Sequence, residues 1–81
     1  MDISDVIAIL SQIEEDSTVP KNIRSKVRNA SSMLQQNDGK AAEVKIDRII
    51  QELDELGSDP NMPMYTRTQI WEIISTLERI Q

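Results

Sequence analysis

Asp16-Ser17-Thr18-Val19-Pro20-Lys21-Asn22-Ile23-Arg24-Ser25-Lys26-Val27 and Asp59-Pro60-Asn61-Met62-Pro63-Met64-Tyr65-Thr66-Arg67-Thr68-Gln69-Ile70 align without a gap, 43 residues apart. The flanks keep the offset: Ile3, Ile7, Leu10 and Ile13 fall on Ile46, Ile50, Leu53 and Leu56, and Leu34 falls on Leu77. Such an offset is close to twelve turns at about 3.6 residues each, so two amphipathic helices share apolar positions there by period alone. The Asp, Pro and Arg matches do not follow from that period, and they point to one helical hairpin used twice. The expected fold is therefore all-α, a four-helix up-and-down bundle built from two similar helical hairpins. Hairpin 1 covers about 2–36 and hairpin 2 about 39–81, within a single domain of 1–81.

Apolar spacing of three and four supplies the helices. The first runs over Ile3 to Glu15 with Asp2 as N-cap, and its stripe is Ile3, Val6, Ile7, Leu10 and Ile13. The second opens at Pro20, since a first helical position has no partner for an N–H in any case. It turns Ile23, Val27, Ala30 and Leu34 inward and ends near Gln36. Residues 37–39, Asn-Asp-Gly, read as a turn, with Asp38 able to cap a third helix from Lys40 to Leu56. That helix carries Val44, Ile46, Ile49, Ile50, Leu53 and Leu56 inside, and Gly57 is placed as a left-handed C-cap. Residues 58–62 form a loop, and Pro63 opens a last helix with Ile70, Ile73, Ile74, Leu77 and Ile80 on its inner side. Short links make sequence neighbours pack antiparallel, which gives the up-down-up-down order.

Composition removes several kinds of chemistry. The 81 residues include no cysteine and no histidine, so disulfides, thiolates, the usual general base and the commonest zinc ligand are absent. With two glycines there is no glycine-rich phosphate loop. No apolar run approaches the roughly 20 residues that span a bilayer, and the acidic Met1-Asp2-Ile3-Ser4-Asp5 start lacks the positive charge of a signal peptide. A cytoplasmic protein is expected, and no cofactor, metal or catalytic residue is assigned. A domain this small buries only about 60% of its unfolded surface, which makes pairing with a protein partner or a second copy a natural source of stability.

Three groups of residues stand out. In the expected topology both Asp-x-x-hydrophobic-Pro loops lie at one end of the bundle, where charges oppose the helix dipoles. Glu14, Glu15 and Asp16 end the first helix, Glu52, Asp54 and Glu55 end the third, and Lys21, Arg24 and Arg67 stand near helix starts. Ion pairs Asp16–Arg24 and Asp59–Arg67, or their crossed versions, would offset those costs. The same paired-loop cluster is alternatively a functional surface. Secondly, Lys21, Arg24 and Arg28 share one side of the second helix, opposite Ile23, Val27 and Leu34, and a basic stripe can grip phosphates. It is short and carries no aromatic, on a chain of net charge −5, so a solvated face is the plainer reading. Thirdly, Met62, Met64, Tyr65 and Trp71 gather around the second loop, and such residue types are enriched at interfaces. In the plainer reading Trp71 closes the core and Met62 plugs its loop as Val19 plugs the first. Glu14, Glu15, Asp16 and Asp59 offer oxygens to a hard cation, but without the spacing of a calcium loop.

The stretches Asp16 to Arg24 and, above all, Ser58-Asp59-Pro60-Asn61-Met62-Pro63-Met64-Tyr65-Thr66-Arg67-Thr68-Gln69-Ile70-Trp71 resemble a small archaeal family catalogued as uncharacterised protein family 0147. The resemblance covers essentially the whole chain. It implies a cytoplasmic archaeal protein with a four-helix bundle fold, and it implies no activity. Taken together, the expectation is a non-enzymatic helical protein–protein interaction module. The second expectation is an accessory protein of an RNA-containing assembly that contacts phosphates through the basic face of the second helix. A small hydrolase or metal-dependent enzyme stands third.

Overall fold

Asp2 starts the first helix by a reciprocal cap: its carboxylate accepts the Asp5 amide at 3.1 Å, and the Asp5 carboxylate accepts the Asp2 amide at 3.0 Å. Two donors that a helix start leaves orphaned are satisfied in this way. From that cap a computed structural model describes residues 2–35 and 42–80, with side chains of the third helix from residue 46 onward. The helices are α1 (Ile3–Glu15), α2 (Lys21–Gln35), α3 (Ala42–Gly57) and α4 (Met64–Ile80). The expected end of the second helix at Gln36, the turn at 37–39, the start at Lys40 and the inward Val44 lie outside the described residues.

The two prolines stand one residue earlier than expected. Pro20 and Pro63 precede α2 and α4, and their carbonyls accept the first helical bonds, from Arg24 N at 3.0 Å and Arg67 N at 2.9 Å. Each is thus the half-in residue at the helix start, where the carbonyl is used and a missing N–H costs nothing. Gly57 also departs from expectation. It is the last residue of α3, its φ lies outside the left-handed region, and its lack of a side chain serves a close approach described below.

Each helix packs on the next, and α4 returns to α1, with the α1–α4 seam the least populated of the contacts. Helices α2 and α4 lie diagonally across this ring, and no strand occurs among the described residues. The core repeats with the sequence: Val6 and Ile49, Leu10 and Leu53, Ile13 and Leu56, Val27 and Ile70 are all buried. Burying each such side chain stabilises the fold by about 1.5–3 kcal/mol. Ile3 and Ile7 are only part-buried, and Ile80, expected inside, is 41% exposed, lining an open recess with Asp2, Ile3 and Ser4 at the start of α1. Leu53 is fully buried at the centre of α3. Leu53→Asp therefore places an uncompensated carboxylate in the core, and its thermal melt followed by circular dichroism is expected to lose cooperativity. A cooperative melt at the wild-type temperature would refute this core.

Candidate functional site

The two loops are built alike, bond for bond. Asp16 N donates to Ile13 O at 3.2 Å and Asp59 N to Leu56 O at 3.1 Å; Val19 N donates to Asp16 O and Met62 N to Asp59 O, each at 3.1 Å. Each aspartate carboxylate then accepts the amide two residues on, from Thr18 at 2.9 Å and from Asn61 at 2.8 Å. This is the local side-chain turn at which Asp excels. Val19 and Met62 are drawn under their loops, 1% and 4% exposed. Met62 is therefore a plug and not part of a surface, which corrects its place in the partner group.

The expected aspartate–arginine ion pairs do not form between the charged groups. Arg67 Nη2 instead donates to the backbone carbonyl of Asp59 at 2.8 Å, while the Asp59 carboxylate is taken by Asn61. At the first loop the Asp16 carboxylate is held by the hydroxyl and amide of Thr18, at 2.6 and 2.9 Å. These two bonds, with a smaller pull from the Arg24 charge and against the cost of desolvation, keep the Asp16 carboxyl below its ordinary range. The Nε atoms of Arg24 and Arg67 are both buried without a hydrogen-bond partner, a further respect in which the hairpins match.

The basic stripe is divided by its surroundings. Lys21 and Arg28 are exposed, whereas Arg24 is part-buried. Arg28 Nε lies 3.4 Å from Glu14 Oε1, tying α2 to α1 across the first hairpin. Lys26 faces the other way, into a crevice of about 230 Å³ that it lines with Asn29, Glu52 and Glu55 between α2 and α3. Among the described residues no three acidic side chains come together as a metal site would need, and Glu14 is engaged by Arg28.

The third group holds the exposed apolar surface. Met64 is 66%, Tyr65 74% and Trp71 51% exposed. At about 3.6 residues per turn Met64 and Trp71 share one line along α4, and Tyr65 lies about 120° round from Trp71. Trp71 does not close the core. Its ring lies over the end of α3, where a Cβ built on Gly57 would come 3.0 Å from Nε1 and 3.6 Å from Cδ1. The offset of the repeat puts Trp71 in the place of Arg28 and Gly57 in the place of Glu14. One hairpin is therefore clasped there by an ion pair, the other by an indole on a glycine. The signal for this was present in the aligned pairs that differ, which the matched pairs overshadow.

These features define the class of the molecule: a small all-helical bundle of two like hairpins that differ in what they expose. The chain belongs to uncharacterised protein family UPF0147, whose family model matches residues 1–80. It is 43% identical to a UPF0147 protein of Methanocaldococcus jannaschii over 76 residues, 94% of this chain and 81% of that one. A UPF0147 protein of Pyrococcus furiosus is 41% identical over 80 residues, 98% of this chain and 85% of that one. The crystal structure of the unknown-function protein MMP1188 superimposes with a TM-score of 0.86 at 43% identity, over 98% of this chain and 89% of that one. Among the described residues no helix is long and apolar enough to cross a membrane.

Two outcomes are expected. A carboxyl whose folded pKa is depressed stabilises the fold above its unfolded pKa, and that stability is lost as pH falls through the folded value. Asp16→Ala should thus melt below wild type at neutral pH, with the gap narrowing as pH falls through the lowered pKa of Asp16. A gap independent of pH would contradict this. Gly57→Ala asks the indole to yield by a few tenths of an ångström, whereas Gly57→Leu fills the place of the ring and should displace it and shift Trp71 emission to the red. Unchanged emission in the leucine variant would show that the ring does not rest on Gly57.

Proposed function

We propose that this protein is a non-enzymatic helical interaction module whose contact surface is the outer face of α4, with Met64, Tyr65 and Trp71 as anchors. The observation that carries the reading is the exposure of these three large side chains together on one helix. Apolar area removed from water contributes about 25 cal/mol per Å², and aromatic residues dominate binding hot spots when a partner covers them. The indole is also held in place by its seat on Gly57, so less motion is lost when a partner covers it. Phosphate binding through Lys21, Arg24 and Arg28 has weaker support, because Arg28 is engaged by Glu14 and Arg24 is part-buried. A cytoplasmic setting agrees with a chain that contains no cysteine.

Affinity capture from a nuclease-treated archaeal lysate tests the proposal. The wild-type chain is expected to retain protein in moderate salt. The triple variant Met64→Ser, Tyr65→Ser, Trp71→Ser should lose it while still melting cooperatively, at a temperature lowered by the loss of the indole from Gly57. Capture that vanishes with nuclease, and that the triple variant leaves intact, would transfer the function to the basic face of α2.

A further inference from the structure

The repeat makes the outer faces of α2 and α4 counterparts. Lys21, Asn22, Ser25, Arg28, Asn29 and Ser32 correspond in order to Met64, Tyr65, Thr68, Trp71, Glu72 and Ser75. All twelve are exposed. Because α2 and α4 are diagonal in the bundle, the two faces look outward on opposite flanks. Their positions are equivalent and their chemistry is opposed.

The outer face of α2 carries Lys21 and Arg28 and no acidic residue, in a chain of net charge −5, while Arg24 is part-buried and Lys26 lines the crevice against α3. On the outer side of α4 the apolar residues stand beside acids. Glu72 follows Trp71, and the exposed Asp54 of α3 lies one turn before the Gly57 on which the indole rests. A basic face brought against its own copy meets like charge, which argues against a symmetric contact through α2. A cationic face brought against α4 meets the exposed indole and, in Glu72 and Asp54, opposite charge on the same flank of the molecule, so cation–aromatic attraction and charge act together. The small Ser25 and Ser32 between and beyond the cations leave room for a ring.

We infer that copies of this chain associate head to tail, the outer face of α2 in one copy seated on the Met64/Trp71 face of α4 in the next. The inference rests on the α4 contact surface proposed above and names its partner. With the two faces on opposite flanks, each added copy presents a fresh face. Association is then heterologous and does not stop at a dimer. A nucleic acid on α2 is disfavoured because Lys21 and Arg28 alone stand on its outer face, too short a cationic row to follow a phosphate backbone.

Sedimentation velocity over a range of protein concentration, in low and high salt, reads this out. The weight-average mass of wild type should climb above the 9.2 kDa of the chain with concentration and fall back as salt is added. Of the two faces, Trp71→Ser damages that of α4, at some loss of melting temperature from the vacated seat on Gly57, and Ser25→Glu damages that of α2; each variant alone should remain monomeric. Mixed in equal amounts they should form a one-to-one dimer and nothing larger, because each supplies the face the other lacks. Met64→Glu with Lys21→Glu repeats the design should either first variant fail to melt cooperatively. Association abolished by Trp71→Ser but untouched by Ser25→Glu would replace the inference with a symmetric α4 contact. A mixture without dimer, or mass growth that needs added nucleic acid, would overturn it. So would a wild type that stays monomeric throughout, although the α4 surface would then still stand or fall on lysate capture of a foreign protein.

Discussion

Everything in this molecule depends on how an aspartate closes the turn between two helices. The carboxylate accepts the amide two residues on, the next apolar side chain is turned under the loop, and a proline carbonyl starts the following helix. Three constraints in five residues leave the chain one way to reverse. Because Asp16 and Asp59 do this alike, both hairpins acquire the same register. Position 28 then meets position 14 in one hairpin as 71 meets 57 in the other. The plugs Val19 and Met62 extend the core to the loop end of the bundle, so the turn is part of the packing as well as its cause.

The equivalence of the hairpins gives meaning to their differences. Where hairpin 1 has the Glu14–Arg28 pair, 72% exposed on the arginine side, the gain is small, since surface ion pairs are worth about 0–1 kcal/mol. Where hairpin 2 has Trp71 over Gly57, apolar area is covered on one side of the ring and left open on the other. Fold stability alone does not require that open side. The half-exposed indole, about two turns along α4 from the exposed Met64, keeps that apolar area in contact with water.

Much of the architecture was legible in the sequence because it rests on period and on turn chemistry. The spacing of Val6, Leu10 and Ile13, and of Ile70, Ile73 and Leu77, reports a buried stripe directly, and the Asp-x-x-hydrophobic-Pro pattern marks each reversal. What the sequence hid is what depends on atoms from other segments. An arginine eight residues beyond an aspartate looks like an ion pair, yet Arg67 reaches the carbonyl of Asp59 because the carboxylate has already gone to Asn61. Met62 and Met64 look alike on paper; the loop buries one and exposes the other. Gly57 reads as a helix stop, and only the crossing of α4 reveals that a ring needs its missing Cβ.

The thinly packed contact between α1 and α4 has a dynamic consequence. It is the one edge of the ring that no loop spans, since α1 begins and α4 ends there. Each hairpin keeps its own turn, plug and clasp when that edge parts, so opening separates two intact halves without dissolving either. Sub-global openings follow such boundaries between cooperative units. The molecule then breathes like a book whose spine is the α2–α3 side, and backbone amides nearest the fore-edge exchange with solvent ahead of those beneath the two aspartate turns.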